Sequence, residues 1–248
     1  MVNVKEIAEF LNEELKINDI EDSANNGLQI ENTEVITKVG FAVDACLETF
    51  QKSVSAGCQL LITHHGMILE GIKYIRGSTY QQIKFLIKNN LAVYGAHLPL
   101  DLHPQYGNNA ELSRILGLQH LKPFGYYHNK PIGFMGEVDT TIDQIKKIIS
   151  ENNMKTFSLD FGKEHIKKIA IISGGAAKEV FQAINAKADL YITGEPLHHV
   201  HHVAKENNIN VIFAGHYETE VFGLKALMPL IKKRFNIEVE FIDVPTLI

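Results

Sequence analysis

Laid on itself with an offset of 130 residues, the sequence places Lys38–Thr63 on Lys168–Thr193 without a gap. The apolar register survives the shift: Val39 meets Ile169, Phe41 meets Ile171, Phe50 meets Val180, Val54 meets Ile184, and Leu60-Leu-Ile-Thr63 meets Leu190-Tyr-Ile-Thr193. In the first copy a β-rich alternating run, Lys38–Val43, precedes a stretch of helical spacing, Ala45–Ala56. An apolar run, Gln59–Thr63, then reads as a parallel strand covered by helices on both faces. Two chance strand–helix–strand units would share the pattern but rarely every connection length. The expected fold is therefore α/β: two similar domains from an internal duplication, each a mostly parallel or mixed sheet flanked by helices.

The likeness continues with one shift of register. Leu91–His97 and Val211–His216 are both short apolar strands ending in small residues and a histidine, and four residues beyond each histidine stands a carboxylate, Asp101 or Glu220. Between the copies, Pro131–Asp139 reads as a strand, Thr141–Glu151 as a helix and Thr156–Phe161 as a strand, all assigned to the second half. Lys122–Asn129, with Pro123 and Gly125, reads as the linker. The domains expected are 1–122 and 123–248, with the C-terminal part free to pack with the first.

Several function classes recede on composition. No apolar run approaches the roughly 20 residues that cross a bilayer, and Met1–Phe10 carries Lys5, Glu6 and Glu9, so the reading is cytoplasmic with no membrane partner. The two cysteines, Cys46 and Cys58, are too few for a disulfide framework and read as buried thiols. A formal charge of −5 gives no electrostatic footprint for DNA. Lys232, Lys233 and Arg234 read as a solvated helix end.

The histidines number twelve, and most are grouped. In an open α/β sheet, function collects at the carboxyl ends of parallel strands. His64, His65, His97, Asp101, His216 and Glu220 all fall just past predicted strand ends. Imidazoles and carboxylates without cysteine suit zinc, iron, manganese or cobalt. Adjacent side chains on an extended segment point to opposite sides, so His64 and His65 are expected to serve different ions, which makes two divalent ions the natural count. If Gly215–Glu220 opens a helix, His216 and Glu220 lie at i and i+4 on one face. Asp101 or Glu220 could bridge the pair.

Other residues carry two readings. His97 is expected to stand behind the ligands or face the substrate. Glu195 and His198 could face the same cleft, and His198, His199, His201 and His202 either line its rim or simply face solvent. Ser173-Gly174-Gly175 could cradle an anion at a helix start or permit close packing.

On Asn26-Gly-Leu-Gln29, Ile62-Thr-His-His-Gly66, Tyr94–Asp101, Gly107-Asn-Asn109, Thr193-Gly-Glu195 and Gly215–Glu220, the chain resembles the GTP cyclohydrolase I type 2 homologues, also called NGG-interacting-factor-three-like proteins. The resemblance runs nearly end to end. It implies a dinuclear metal site of His64, His65, Asp101, His216 and Glu220 in a cleft between two α/β domains, with His97 outside the ligand set, and assembly into a ring-shaped homohexamer. Two functions are carried forward. One is a metal-dependent hydrolase, GTP cyclohydrolase-like, acting on a small molecule such as a nucleotide, with the metal activating water and His97 or Glu195 moving protons. The other is a non-catalytic metal-binding regulator, or a ring that binds DNA or protein.

Overall fold

The structure, a computed structural model, describes residues 2–68 and 71–246. The chain divides into two compact units. One takes in the chain up to Leu100 together with Leu224–Val244, and the other takes in Asp101–Gly223 and the residues after Val244.

The first unit opens with helix α1 (Val4–Glu14), started by a capping box in which Asn3 Oδ1 accepts from the Glu6 amide at 3.0 Å and Glu6 returns a carboxylate to the Asn3 amide at 3.1 Å. Its strands are β1 (Gly27–Ile30), β2 (Lys38–Asp44), β3 (Leu60–His65) and β4 (Ala92–Gly95), with helices α2 (Leu47–Ser55) and α3 (Gly77–Lys88) as the crossovers. The sheet order is β1-β4-β3-β2-β11, where β11 is Glu238–Phe241; only β1 is antiparallel to its neighbour. Phe50, Leu61, Leu86, Leu91 and Val93 pack into the core against Ile242.

The second unit holds α5 (Asn108–Ile115), β5 (Gln119–Tyr127), β6 (Lys130–Thr141), α6 (Ile142–Glu151), β7 (Phe157–Asp160), β8 (His165–Ile171), α7 (Val180–Asn185), β9 (Leu190–Thr193), α8 (Val200–Glu206) and β10 (Asn210–Phe213). Two further helices span the unit boundaries: the short α4 (Leu98–Asp101) and the long α9 (His216–Phe235). The sheet order is β5-β6-β8-β9-β10-β7, with β8, β9 and β10 parallel and the other pairs antiparallel. Ile145, Ile149, Ile169, Ile171, Leu190 and Ile192 form its core with Leu112 of α5 and Leu116, which caps that helix. Both units are thus mixed sheets flanked by helices.

The two parallel cores share a register. Val39 pairs with Leu60 and Phe41 with Ile62; Ile169 pairs with Leu190 and Ile171 with Ile192. The next strand corrects one equivalence. The Ala96 amide donates to Thr63 O as the Ala214 amide donates to Thr193 O, so His97 stands level with Gly215, and His216 with Leu98. The two histidines are one residue out of step: His97 precedes the turn of α4, whereas His216 is the first residue of α9.

The expected linker is not a linker. Lys122–Asn129 supplies most of β5 and the turn of a long hairpin, closed by His128 (φ 46°) and Asn129 (φ 63°) between the paired Tyr127 and Lys130. Two successive positive-φ residues match the twist of a two-residue hairpin. Pro123 is tolerated because β5 lies at the sheet edge. The first stretch of the first unit runs to Leu100 rather than to residue 122, Leu224–Val244 joins that unit from the C-terminal part, and the intervening α5 packs Leu112 into the second core. Cys58 is buried as expected, whereas Cys46, at the N-terminus of α2, is half-exposed. Among the described residues no helix is long and apolar enough to cross a membrane.

Candidate metal centre

In the first unit, β3 delivers His64 and His65 at its carboxyl end, and the adjacent parallel β4 leads to His97. His64 is fully buried, and its Nδ1 lies 2.9 Å from Ala96 O. A carbonyl only accepts, so Nδ1 carries the proton and Nε2 is left as the lone-pair nitrogen. His65 Nδ1 meets Asp44 Oδ1 at 2.8 Å, and His97 Nδ1 meets Asp22 Oδ1 at 2.9 Å. All three rings are therefore fixed through the same nitrogen.

The expectation that His64 and His65 point apart does not hold. Their ring centroids are 5.0 Å apart, because His65 is the last residue of β3 and its ring is held by Asp44, the residue paired with it on β2. With His97 they form a group whose ring nitrogens, one from each, lie within 4.8 Å of one another, close enough to hold a metal ion.

Asn26-Gly-Leu-Gln29 builds the floor of this half. Asn26 Oδ1 accepts from the His97 amide at 2.7 Å, while its amide nitrogen donates to Asp22 at 2.9 Å. Gln29 accepts from the Ile68 amide at 3.0 Å and lies so close to Gly66 that a β-carbon there would meet Gln29 Nε2 at 2.2 Å. Burial pushes the Asp22 carboxyl up, but the His97 hydrogen bond and charge, with the Ala24 amide and Asn26, outweigh it and hold the group at about 2.

The second unit carries Asp101, His216, Glu220 and Glu195. Asp101 closes α4, and its Oδ1 accepts from Asn108 Nδ2 at 2.8 Å and from Ser173 Oγ at 2.9 Å. Asn109 is fully buried and braces the same loop, donating to Asp101 O and Ile132 O and accepting from the Ser173 amide. On α9, His216 Nε2 lies 3.2 Å from Glu220 Oε1 at i+4, as the helical spacing predicts, while Nδ1 lies 2.5 Å from Glu195 Oε1. Asp101 and Glu220 also offer oxygens within 4.8 Å of each other. Burial pushes the His216 imidazole down, but Glu220 first and Glu195 second raise it to about 9.

Ser173-Gly174-Gly175 serves packing here. Gly174 adopts φ +65°, and a β-carbon on it would meet Glu220 Oε1 at 2.2 Å and His216 Nε2 at 3.2 Å. The glycine is what lets the loop cover these two side chains. Glu218 faces elsewhere, toward Lys155 at 3.4 Å. His198, His199, His201 and His202 are all exposed, which favours the solvent-facing reading; the His201 ring sits edge-on to Phe161.

Sequence reasoning missed Asp22 and Asp44. Asp44 could have been found, since it ends β2 in register with His65. Asp22 had no such signal, because it lies outside the regular elements and reaches His97 across 75 residues.

Compared with known proteins, residues 2–247 match the family model described as Duf34/NIF3 (NGG1p interacting factor 3). A protein of Archaeoglobus fulgidus named GTP cyclohydrolase 1 type 2 homolog is 42% identical over 247 residues, 99% of each chain. A protein of the same name from Pyrococcus horikoshii is 42% identical over 245 residues, covering 97% of this chain and 98% of its own. Among solved structures, TTHA1606 from Thermus thermophilus superposes with a TM-score of 0.92 at 33% identity over the whole of both chains.

Proposed function

Because the chain belongs to the Duf34/NIF3 family, we propose that it holds two divalent metal ions and uses them to hydrolyse a small substrate of the nucleotide class. The ligands would be His64, His65, Asp101, His216 and Glu220. The observation that carries this reading is that all three imidazoles of the set are oriented through Nδ1, by Ala96 O, Asp44 and Glu195, the outer-shell arrangement that ligand histidines adopt. Nitrogen and oxygen donors without thiolate fit zinc, iron, manganese or cobalt.

When bound, such ions supply Lewis acidity and lower the pKa of water toward neutrality. The chain's own residues do the rest. Asp44 and Glu195 hold two ligand rings in place, Ser173 and Asn108 fix one oxygen of Asp101, and His97, oriented by Asp22, moves a proton at the substrate. Glu195 is the alternative proton carrier. The relatives named GTP cyclohydrolase 1 type 2 homolog make GTP the first substrate to try.

The matched strand register of the two cores supports descent by duplication. Exposed Tyr74, Ile75 and Ile87 support self-association, for which a homohexamer is the expected state, read by sedimentation. The same reading puts the protein in the cytoplasm, where Cys46 and Cys58 stay as thiols.

The test is a turnover screen over GTP, other nucleotides and phosphoesters, with metal restored to stripped protein. Turnover that needs metal and vanishes in His65→Ala and Glu220→Ala is expected. Turnover unchanged in stripped protein contradicts the hydrolase, and metal binding without turnover of any compound favours the regulator instead.

A further inference from the structure

We infer that His198, His201 and His202 form a second metal site, exposed and exchangeable, that receives divalent ions on their way to the centre. The receiving role rests on the reading that this chain holds ions at His64, His65, Asp101, His216 and Glu220. Binding at the three exposed histidines does not depend on that reading.

The turn ahead of α8 and the helix itself put the three on one face. The His201 amide donates to His198 O at 3.4 Å, so the chain already turns helically before Val200. His201 and His202 therefore follow His198 at i+3 and i+4, the positions that neighbour it on a helix surface. Val200 and Ala204 are buried and fix the opposite side of α8 to the protein, which leaves all three histidines exposed.

Their rings gather rather than fan out. The centroids of His198 and His202 are 6.4 Å apart, and those of His201 and His202 are 5.3 Å apart. Phe161 meets the His201 ring edge-on at 5.1 Å and limits its rotation. Two imidazoles on one tetrahedral ion, with metal–nitrogen bonds of about 2.0–2.1 Å, bring their centroids to about 5 Å, so His198 has only about 1 Å to swing. An exposed side chain covers that by turning about its own torsions. Among the described residues no hydrogen bond or ion pair occupies a ring nitrogen of the three. Two histidines at i and i+4 on a helix are a recurring metal-binding arrangement. Imidazole nitrogen suits zinc, copper or nickel, whereas magnesium and calcium require oxygen.

A short piece of chain ties this cluster to the centre. Glu195, whose Oε1 lies 2.5 Å from Nδ1 of His216, stands three residues before His198. Three residues span at most about 11 Å, so an ion released from the cluster starts beside the carboxylate that holds a centre histidine. Open to water, the cluster exchanges its ion freely and gel filtration removes it. Ions counted after filtration are then those of the centre alone.

The test compares the full chain with a triple variant, His198→Gln with His201→Gln and His202→Gln, glutamine being at least as good a helix former as histidine. Equilibrium dialysis against zinc should count one ion more than gel filtration leaves on the unaltered chain, and the triple variant should lose that ion. His199→Gln, outside the ring group, should keep it. Stripped protein mixed with limiting zinc should fill its centre several-fold more slowly in the triple variant, with the same final occupancy after filtration.

No labile ion on the unaltered chain, or one that survives in the triple variant, overturns the site. A labile ion lost as expected, with equal rates of filling, overturns the receiving role. An unaltered chain that retains no ion after filtration defeats the five-residue centre and the receiving role with it, while dialysis still decides whether the exposed histidines bind. Circular dichroism of the triple variant separates loss of the ion from loss of the helix.

Discussion

Glu195 Oε1 stands 2.5 Å from Nδ1 of His216, while Glu220 Oε1 stands 3.2 Å from Nε2 of the same ring. One imidazole is thus held between two carboxylates, the first fixing its rotation and the second sharing the side an ion would occupy. Glu195→Gln keeps an acceptor but loses the charge. It should weaken metal binding by about 10–100-fold, with Glu195→Ala weaker still, read by competition with a chelator. Equal affinity in all three proteins would show that Glu195 does not position His216.

Asp22 links stability to pH with a definite sign. Its carboxyl, held at about 2 against an ordinary 3.8, contributes stability that is complete above about pH 4 and is lost as the pH falls from there through about 2. Asp22→Asn should cost on the order of 1–2 kcal/mol at neutral pH in urea unfolding. The gap between variant and parent should close as the pH approaches about 2. A gap that stays constant with pH would mean that the charge on Asp22 plays no part.

Gly174→Ala would place a β-carbon 2.2 Å from Glu220 Oε1 at a residue with φ +65°. The positive φ alone costs an alanine about 1 kcal/mol, and the clash must push Glu220 aside. The expected result is a modest fall in melting temperature with a disproportionate loss of bound metal. Loss of stability with metal content intact would contradict the packing role given to this glycine.

Asn109 is fully buried and bonds three backbone groups, Asp101 O, Ile132 O and the Ser173 amide. Asn109→Ala strands all three and should destabilise the protein by about 2–4 kcal/mol in denaturant titration. A change below about 1 kcal/mol would mean that water replaces the amide without cost.

The parts of the fold that could be read from the sequence are those where one physical pattern dominates. Within Lys38–Thr63 and its counterpart Lys168–Thr193 the strand cores are buried on both faces and the helices on one, so the apolar spacing gives strand, helix and strand directly, and the structure shows the same 39–60 and 169–190 pairing. His216 and Glu220 followed from helical periodicity. The hairpin of β5 and β6 was hidden because Pro123 and Gly125 mark loops in most settings, and only the sheet edge makes them acceptable in a strand. The one-residue step between His97 and His216 was hidden too, since both strands end in small residues and a histidine, and only the bonds of Ala96 to Thr63 O and Ala214 to Thr193 O show which residues are level. Asp22 was out of reach, because its partner lies 75 positions away and no periodicity links them.

The central claim is that this chain grips two cations with imidazole and carboxylate donors, and counting metal tests it most directly. Protein prepared without added metal and analysed for its elements should carry up to two zinc, iron, manganese or cobalt ions per chain, and stripped protein should take up two. His64→Ala with Glu220→Ala should hold none. Unaltered protein that takes up no ion, or a double variant that takes up as much as its parent, would contradict the account.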